Sequence, residues 1–476
     1  MVTHAQPEVG RAARDAGVYV ASRVVAALLQ VVGFILAARL YSADGLALVV
    51  YALMVLQTSV SLGSLGIPES VFTFFAWYGR PDVVVRQATF LLVVVLPPVL
   101  LVATGLAHVA GASIDLGSGL PWLMVAVAAE LPAQPAVNLL LAVDRAGRAS
   151  LATVSFTAAQ MVAVVLPALL GRDAHLVLPL LAAASAFRVA VYLVIVRVHF
   201  PRRSPWLDRD RLKALVTFSV PAGLAVISGT LGAQIDKYVV AWLRGGHDIA
   251  DYSVGAWELP LVTLIPYAIG AVLQPHYARL HVAGQRAGLI ALWRRTTRKT
   301  ALLVVPLAVL QIVLADRLVQ VVFPPEYARA GLLFRLFSLV LLTRVAYYGA
   351  ILRATGDTRA LLVAALFVLG VNLVLSVPFT LLFGFPGAAL ATVTAGLAGM
   401  IVVLRFIARR LGAPVAEIFP TRAYAGVLAI SSVTGLLAYL GIEHLPLGPV
   451  AGALVVTPVY LAATFGLTTV FLKERP

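Results

Sequence analysis

Nine ionisable residues sit inside stretches that otherwise consist of apolar side chains. Five are basic (Arg23, Arg188, Lys237, Arg335 and Arg344) and four acidic (Glu69, Glu130, Asp236 and Glu258). In "GAQIDKYVVAW", residues 232–242, an aspartate and a lysine stand side by side in one such stretch. A charge held in hydrocarbon costs roughly 2.5–3.5 kcal/mol on insertion scales, so these residues are expected to face a partner or a wet cavity and not lipid. Two kinds of chemistry follow from the residue types. Guanidinium groups present forked, charge-assisted donors that suit phosphate oxygens. Carboxylates at such depth gain or lose a proton as basic neighbours approach or leave. The alternative for each is a structural ion pair that fixes helix register. Asp236 and Lys237 lie about 100° apart on a helix and cannot both address one partner; Lys237 is also close enough to a span end to snorkel.

The elements that carry these residues are set by composition. The chain has 476 residues, 61% hydrophobic and 12% charged, with a mean hydropathy of +0.96. Apolar runs of about 20 residues, the length that crosses a bilayer as a helix, recur throughout. Barrel strands would instead alternate in polarity every second residue. The sequence therefore predicts an all-α polytopic membrane protein. Fourteen spans are expected, at 17–40, 46–75, 88–110, 119–143, 149–170, 175–197, 214–243, 252–277, 300–323, 330–352, 360–383, 386–404, 423–441 and 448–471. The polar N-terminal segment leads into the first span without a small-residue cleavage site, which reads as a retained helix.

With the N-terminus in the cytoplasm, this arrangement puts 26 of the 36 Lys and Arg on the cytoplasmic side, five on the other and five within spans. The positive-inside rule then places both termini in the cytoplasm. The net charge of +15 is accounted for by loops facing anionic lipid and calls for no nucleic acid. Two long basic joints divide the spans, giving an expected N-terminal six-helix lobe at 1–200, a linker at 201–213, a second six-helix lobe at 214–411 and an appended helix pair at 421–476. A faint internal echo between "QVVGFILAARLYSADGLALVVYAL" and "QIDKYVVAWLRGGHDIADYSVGAWEL" fits two halves related in parallel.

Several classes of chemistry find no support. There is no cysteine, hence no disulfide, thiolate ligand or thiol nucleophile. The eight histidines have no metal-ligand spacing, no Ser/His/Asp set can be argued, and no GxxxxGK[ST] loop is present. No cofactor and no enzymatic activity are expected. Prolines within spans, among them Pro97, Pro98, Pro132, Pro135 and Pro306, are expected to kink helices or to be tolerated in packing, with a break of the fourth span near Glu130 and Gln134.

The motifs "QIDKYVVAWLRGGHDIADYSVGAWEL", "LYSADGLALVVYAL…SLGSLGIPES", "FPPEYARAGLLFRLFSLVLL" and "RATGDTR" resemble those of bacterial polysaccharide flippases of the Wzx type, departing at Ala47 where an aromatic residue is common. The resemblance covers nearly the whole chain. It implies the multidrug/oligosaccharidyl-lipid/polysaccharide exporter fold, with two six-helix lobes facing each other in a V. It also implies transport of undecaprenyl-diphosphate-linked oligosaccharide across the cytoplasmic membrane by alternating access, as a monomer among membrane lipids, with possible proton or cation coupling. Arg23, Arg188, Lys237, Arg335 and Arg344 are then candidates to hold the diphosphate. Asp236, Glu130, Glu258 and Glu69 are candidates for coupling or ion pairing, Asp236 first, with Arg335 expected at a similar depth. Peptidoglycan-precursor flippases are close relatives under this resemblance. A cation-coupled multidrug exporter of the same fold, predicting an acid-lined aromatic pocket, and a membrane polysaccharide polymerase or ligase, predicting a large outer loop, remain as alternatives.

Overall fold

In the computed structural model every regular element is helical among the described residues, which are 5–68, 70, 81–111, 114–143, 145–200, 208–257, 260–444 and 448–473. Glu69, Glu258 and linker residues 201–207 lie outside them. Runs rich in Val and Ile fold as helices here because a backbone in hydrocarbon must satisfy its own hydrogen bonds within the segment. The main helices are α1 (Ala5–Leu40), α2 (Ala43–Ser64), α3 (Pro81–Val94), α4 (Leu96–Ala107), α5 (Leu120–Ala133), α6 (Ala136–Ala142), α7 (Ala146–Leu169), α8 (Val177–His199) and α9 (Arg209–Arg244). They continue as α10 (Gly246–Gly255), α11 (Pro260–Val282), α12 (Arg286–Val322), α13 (Ala330–Leu341), α14 (Tyr348–Ala354), α15 (Thr358–Phe383), α16 (Phe385–Leu411), α17 (Thr421–His444) and α18 (Pro449–Lys473).

Each of the fourteen expected windows is helical in whole or in part. Among the described residues ten helices are long and apolar enough to cross a membrane, or eleven when α3 and α4, bent by 45°, count as one span. That bend falls at Val95, just before Pro97 and Pro98. The fourth span breaks where expected, with α5 containing Pro132 and α6 starting after Pro135. The tenth does not run through: α13 and α14 are short helices separated at residues 342–347.

The chain divides into two compact units, Met1–Gln234 with Gly245–Ala250, and Ile235–Arg244 with Asp251–Pro476. In the first unit α1 packs along α7, α5 along α8, and α2 against α4 and α5. Ser42 caps α2, its hydroxyl accepting from the Gly45 amide at 3.2 Å. Helix α2 ends at Leu65 and Gly66, both left-handed (φ +48° and +70°). There the chain touches α9 backbone to backbone: a Cβ on Gly66 would lie 2.4 Å from the Gly223 nitrogen, and one on Gly223 would lie 2.3 Å from the Leu65 carbonyl carbon. Only glycine permits this approach. Ser61 donates to Thr230 at 2.9 Å between one and two turns further along the same contact.

In the second unit α15 and α16 form a tight hairpin, α12 packs against α11, α13 and α17, and α17 against α18. The break at 342–347 leaves main-chain carbonyls outside the helical ladder. Two tyrosines serve them: Tyr348 donates to the Thr343 carbonyl at 3.0 Å and Tyr424, from α17, to that of Leu342 at 2.9 Å. Tyr460 of α18 likewise donates to the Pro306 carbonyl at 3.0 Å. The surrounding core combines Val304, Val305, Ala308, Leu341, Val345 and Phe419.

Candidate functional site

The first unit encloses a cavity of about 320 Å³ lined by polar side chains, among them Arg23, Gln30, Glu130, Gln134, Gln160 and Arg188. Its position follows from the broken fourth span. Glu130, on the last full turn of α5, is one turn before Gln134 in the proline-flanked break, and Gln134 donates to its Oε1 at 3.2 Å. The Arg188 guanidinium, from α8, donates to that same Oε1. Its central carbon also lies 5.1 Å from the Phe156 ring centroid, a cation–π contact. Asn138 holds the cavity wall by donating to the Pro68 carbonyl at 2.6 Å.

Charge does not cancel here. Glu130 neutralises Arg188, whereas Arg23 has no ion pair among the described residues, so these three groups leave one positive charge. Arg188 Nε is moreover buried without a hydrogen-bond partner among the described residues. A buried donor left unmade costs about 1–3 kcal/mol, which an incoming anionic oxygen would recover. The nine charges flagged in the sequence thus include one set, Arg23, Arg188 and Glu130, that the fold brings to a single cavity.

The second unit holds Asp236 in a different setting. Its side chain is buried, at 2% exposure, and is surrounded by donors: Tyr252 at 2.8 Å and Thr392 at 2.9 Å on Oδ2, and the Lys237 amide at 2.8 Å on Oδ1. Thr392 is also within 3.4 Å of Asn372 Oδ1, which accepts from Ser376 at 2.8 Å. Carboxylate, amide and hydroxyl oxygens from α9, α10, α15 and α16 therefore converge on one point. The expected neighbour of Asp236, Arg335, is elsewhere. Its guanidinium pairs with Asp316 of α12 at 2.5 Å, and it borders an apolar crevice of about 380 Å³ lined by Val309, Leu339, Leu428 and Tyr439. Arg344 falls on the break between α13 and α14 and not within a continuous helix. Lys237 is half-buried.

Sequence reasoning missed Asp316, although it lies inside the expected span 300–323. It also missed Asp251, whose side chain is 3% exposed and pairs with Arg329 at 3.3 Å while the Arg329 guanidinium lies 4.4 Å from the Phe385 centroid. The Asn372/Ser376 spacing, four apart on one helix face, was the available signal for the ring around Asp236.

The comparisons with known proteins agree on the fold. A structure of the lipid II flippase MurJ in an inward closed conformation superposes with a TM-score of 0.74, at 12% identity, covering 96% of this chain and 99% of that one. A multidrug resistance MATE family transporter of the MOP superfamily, inward-facing, gives 0.58 at 16% identity over 81% of this chain and 94% of its own. An uncharacterized membrane protein of Methanocaldococcus jannaschii is 24% identical over 213 residues, which span 42% of this chain and 41% of that protein. The motifs resembled the polysaccharide branch of this superfamily, but the matching family model is the one described as lipid II flippase MurJ, over residues 138–455. That match covers more than half of the sequence, and the chain belongs to the MurJ family.

Proposed function

We propose that this protein is a flippase that carries a polyisoprenyl-diphosphate-linked saccharide across the cytoplasmic membrane by alternating access, with lipid II, named in the family description, as the first cargo to test. The observation that supports this reading is the basic cavity of the first unit, where, among the described residues, Arg23 has no ion pair and the buried Arg188 Nε has no acceptor. A diphosphate entering it takes up both guanidinium groups. It also competes with Glu130 for Arg188, and the displaced carboxylate keeps the Gln134 amide as its donor. The apolar crevice beside Arg335 offers a surface of the right chemistry for a polyprenyl chain.

A cation-coupled drug exporter on the same fold would want acids to attract cationic cargo, and the described residues that line the polar cavity carry net positive charge instead. Coupling falls to Asp236 in this proposal. A carboxylate ringed by neutral hydroxyls takes up a proton or a small cation in one state and releases it in the other. The protein works as a monomer with both termini in the cytoplasm. Reporter fusions after Gly171 and Gly246 are expected to read outside and those after Arg203 and Arg295 inside; reversal at two sites discards that orientation.

The test is direct. Purified protein in liposomes should move fluorescent lipid II between leaflets, and Arg23→Ala with Arg188→Ala should abolish this while the double variant remains folded in the membrane. Translocation that is indifferent to the double substitution would remove the cavity from the head-group path.

A further inference from the structure

A second polar-aromatic cluster lies wholly on the second unit, apart from Asp236 and Arg335. Tyr347 ends the break between α13 and α14, and its ring rests on α11 at Gly270, where an added Cβ would come within 2.4 Å of the Tyr347 Cβ and 2.7 Å of its Cδ1. Glycine at 270 is thus what lets the ring lie flat on the helix. Three residues back on α11, the Tyr267 ring meets it with centroids 4.9 Å apart at 54°. From α14, Arg353 donates to the Tyr347 hydroxyl, and its guanidinium carbon is 5.4 Å from the ring centroid. The inner edge of Tyr347 packs on the core around Tyr277, Trp293 and Ile351. One wall of the cluster is therefore fixed and the other open.

Tyr267 is the informative member. It is 56% exposed, its hydroxyl has no hydrogen bond among the described residues, and it is the eighth residue of the 23-residue helix α11, well inside the expected span 252–277. Tyrosines that anchor a helix in the membrane interface sit at its ends. At mid-span, a phenol turned to hydrocarbon would strand its hydroxyl at a cost of several kcal/mol. A pair of rings serving packing alone would be buried. An open aromatic face at that depth, with a second ring at an angle and a guanidinium beside it, calls for a ligand that is apolar on one face and rich in hydroxyls at its rim. A pyranose ring has that character. Its axial C–H groups pack on an aromatic face while its hydroxyls reach a phenol and a guanidinium.

We propose that Tyr267, Tyr347 and Arg353 form a saccharide subsite that reads the sugar of the cargo. This rests on the reading above that the cargo is a glycolipid, and adds that the glycan is recognised by the second unit. The site discriminates a sugar-bearing lipid from the bare polyprenyl diphosphate.

The experiment uses the full-length protein in nanodiscs with two probes, undecaprenyl diphosphate carrying a disaccharide and undecaprenyl diphosphate alone. Tyr267→Leu is expected to weaken binding of the glycolipid about tenfold, the scale of one lost ring-stacking contact, with the sugar-free probe unchanged. Tyr267→Phe keeps the ring and should stay within about threefold of the parent, since a single neutral hydrogen bond is all it loses. Equal weakening of both probes, or no weakening of either, overturns the subsite and leaves the flippase proposal standing. A parent that binds neither diphosphate lipid more tightly than ordinary phospholipid overturns both. Because the chain lacks cysteine, Tyr267→Cys offers a second reading. A membrane-impermeant thiol reagent should label it, the disaccharide lipid should protect it, and a position that stays unlabelled faces lipid and sinks the proposal.

Discussion

Glu130 and Arg188, 58 positions apart in the chain, join α5 to α8 through one carboxylate oxygen that also accepts from Gln134. The pair is largely shielded, with side-chain exposures of 17% and 20%. It therefore does two things at once: it ties two helices together and holds a guanidinium in reserve at the wall of a cavity. Arg23, on the same cavity, does only the second.

The two arginines should separate on that basis. Arg188→Ala leaves the Glu130 carboxylate with a single donor and is expected to cost about 1–3 kcal/mol of stability, read as a lower unfolding temperature in detergent. Arg23→Ala is expected to leave the unfolding temperature unchanged while slowing lipid II translocation by about tenfold or more, the loss of one charge-assisted contact. Equal destabilisation by both would contradict the reading that the fold does not depend on an ion pair of Arg23.

Asp236→Asn keeps the shape of the side chain and one oxygen for the hydroxyls of Tyr252 and Thr392, while removing the charge. Translocation in reconstituted vesicles should lose its response to an imposed proton or cation gradient and retain a basal rate. A variant that follows the gradient as the parent does would leave Asp236 with a purely structural part.

Asp173 lies in the joint between α7 and α8, outside the helices of both spans. The His175 backbone amide, at 2.7 Å, and then the His175 side chain hold its carboxyl below the usual carboxylate range. A folded-state value depressed in this way contributes stability that is present above the unfolded value, near 3.9, and is lost as pH falls through the folded one. Protection of the amides across residues 171–177, taken relative to the free-peptide exchange rate at each pH, should therefore be present at pH 6 and fall only below about pH 4. In Asp173→Asn it should already be low at pH 6. Identical exchange in parent and variant would show that the carboxylate does not hold the joint.

Gly66 and Gly223 should tolerate no side chain. Gly66→Ala and Gly223→Ala each put a Cβ within 2.4 Å of backbone, and Gly66 adds a left-handed φ. Gly229, on the same helix α9 with nothing within 4 Å of an added Cβ, is the control. There alanine is expected to be neutral or to stabilise by about 0.5–1 kcal/mol. Thermal unfolding of the three variants decides it.

Helix positions were legible in the sequence because one requirement, an apolar run long enough to satisfy its backbone in hydrocarbon, dominates all others. The break at 342–347 was not. Leu342, Val345 and Ala346 keep the run apolar, and no proline or glycine marks it. The break near Pro132 and Pro135 was legible because two missing amides announce themselves. Among the charges, residue type suggested that bases and acids within spans could pair, without naming Arg188 and Glu130 as partners. Which base meets which acid depends on helix rotation and tilt, and this is how Arg335 came to be set beside Asp236 instead of Asp316. The side chains that hydrogen-bond to Asp236 are the hydroxyls of Tyr252 and Thr392, which a census of charge does not see.

The hydrogen bond that Tyr424 sends from α17 to the carbonyl of Leu342 changes the standing of the C-terminal helix pair, whose second member is tied to α12 by Tyr460 at the Pro306 carbonyl. A helix interrupted inside a membrane exposes polar main chain that neither lipid nor its own ladder can solvate. Here the missing solvent is a phenol delivered by another helix. The pair thus behaves as an internal splint: without it the tenth span would have to be mended or find another donor. Shortening the protein from its C-terminus is then a change to the middle of the fold.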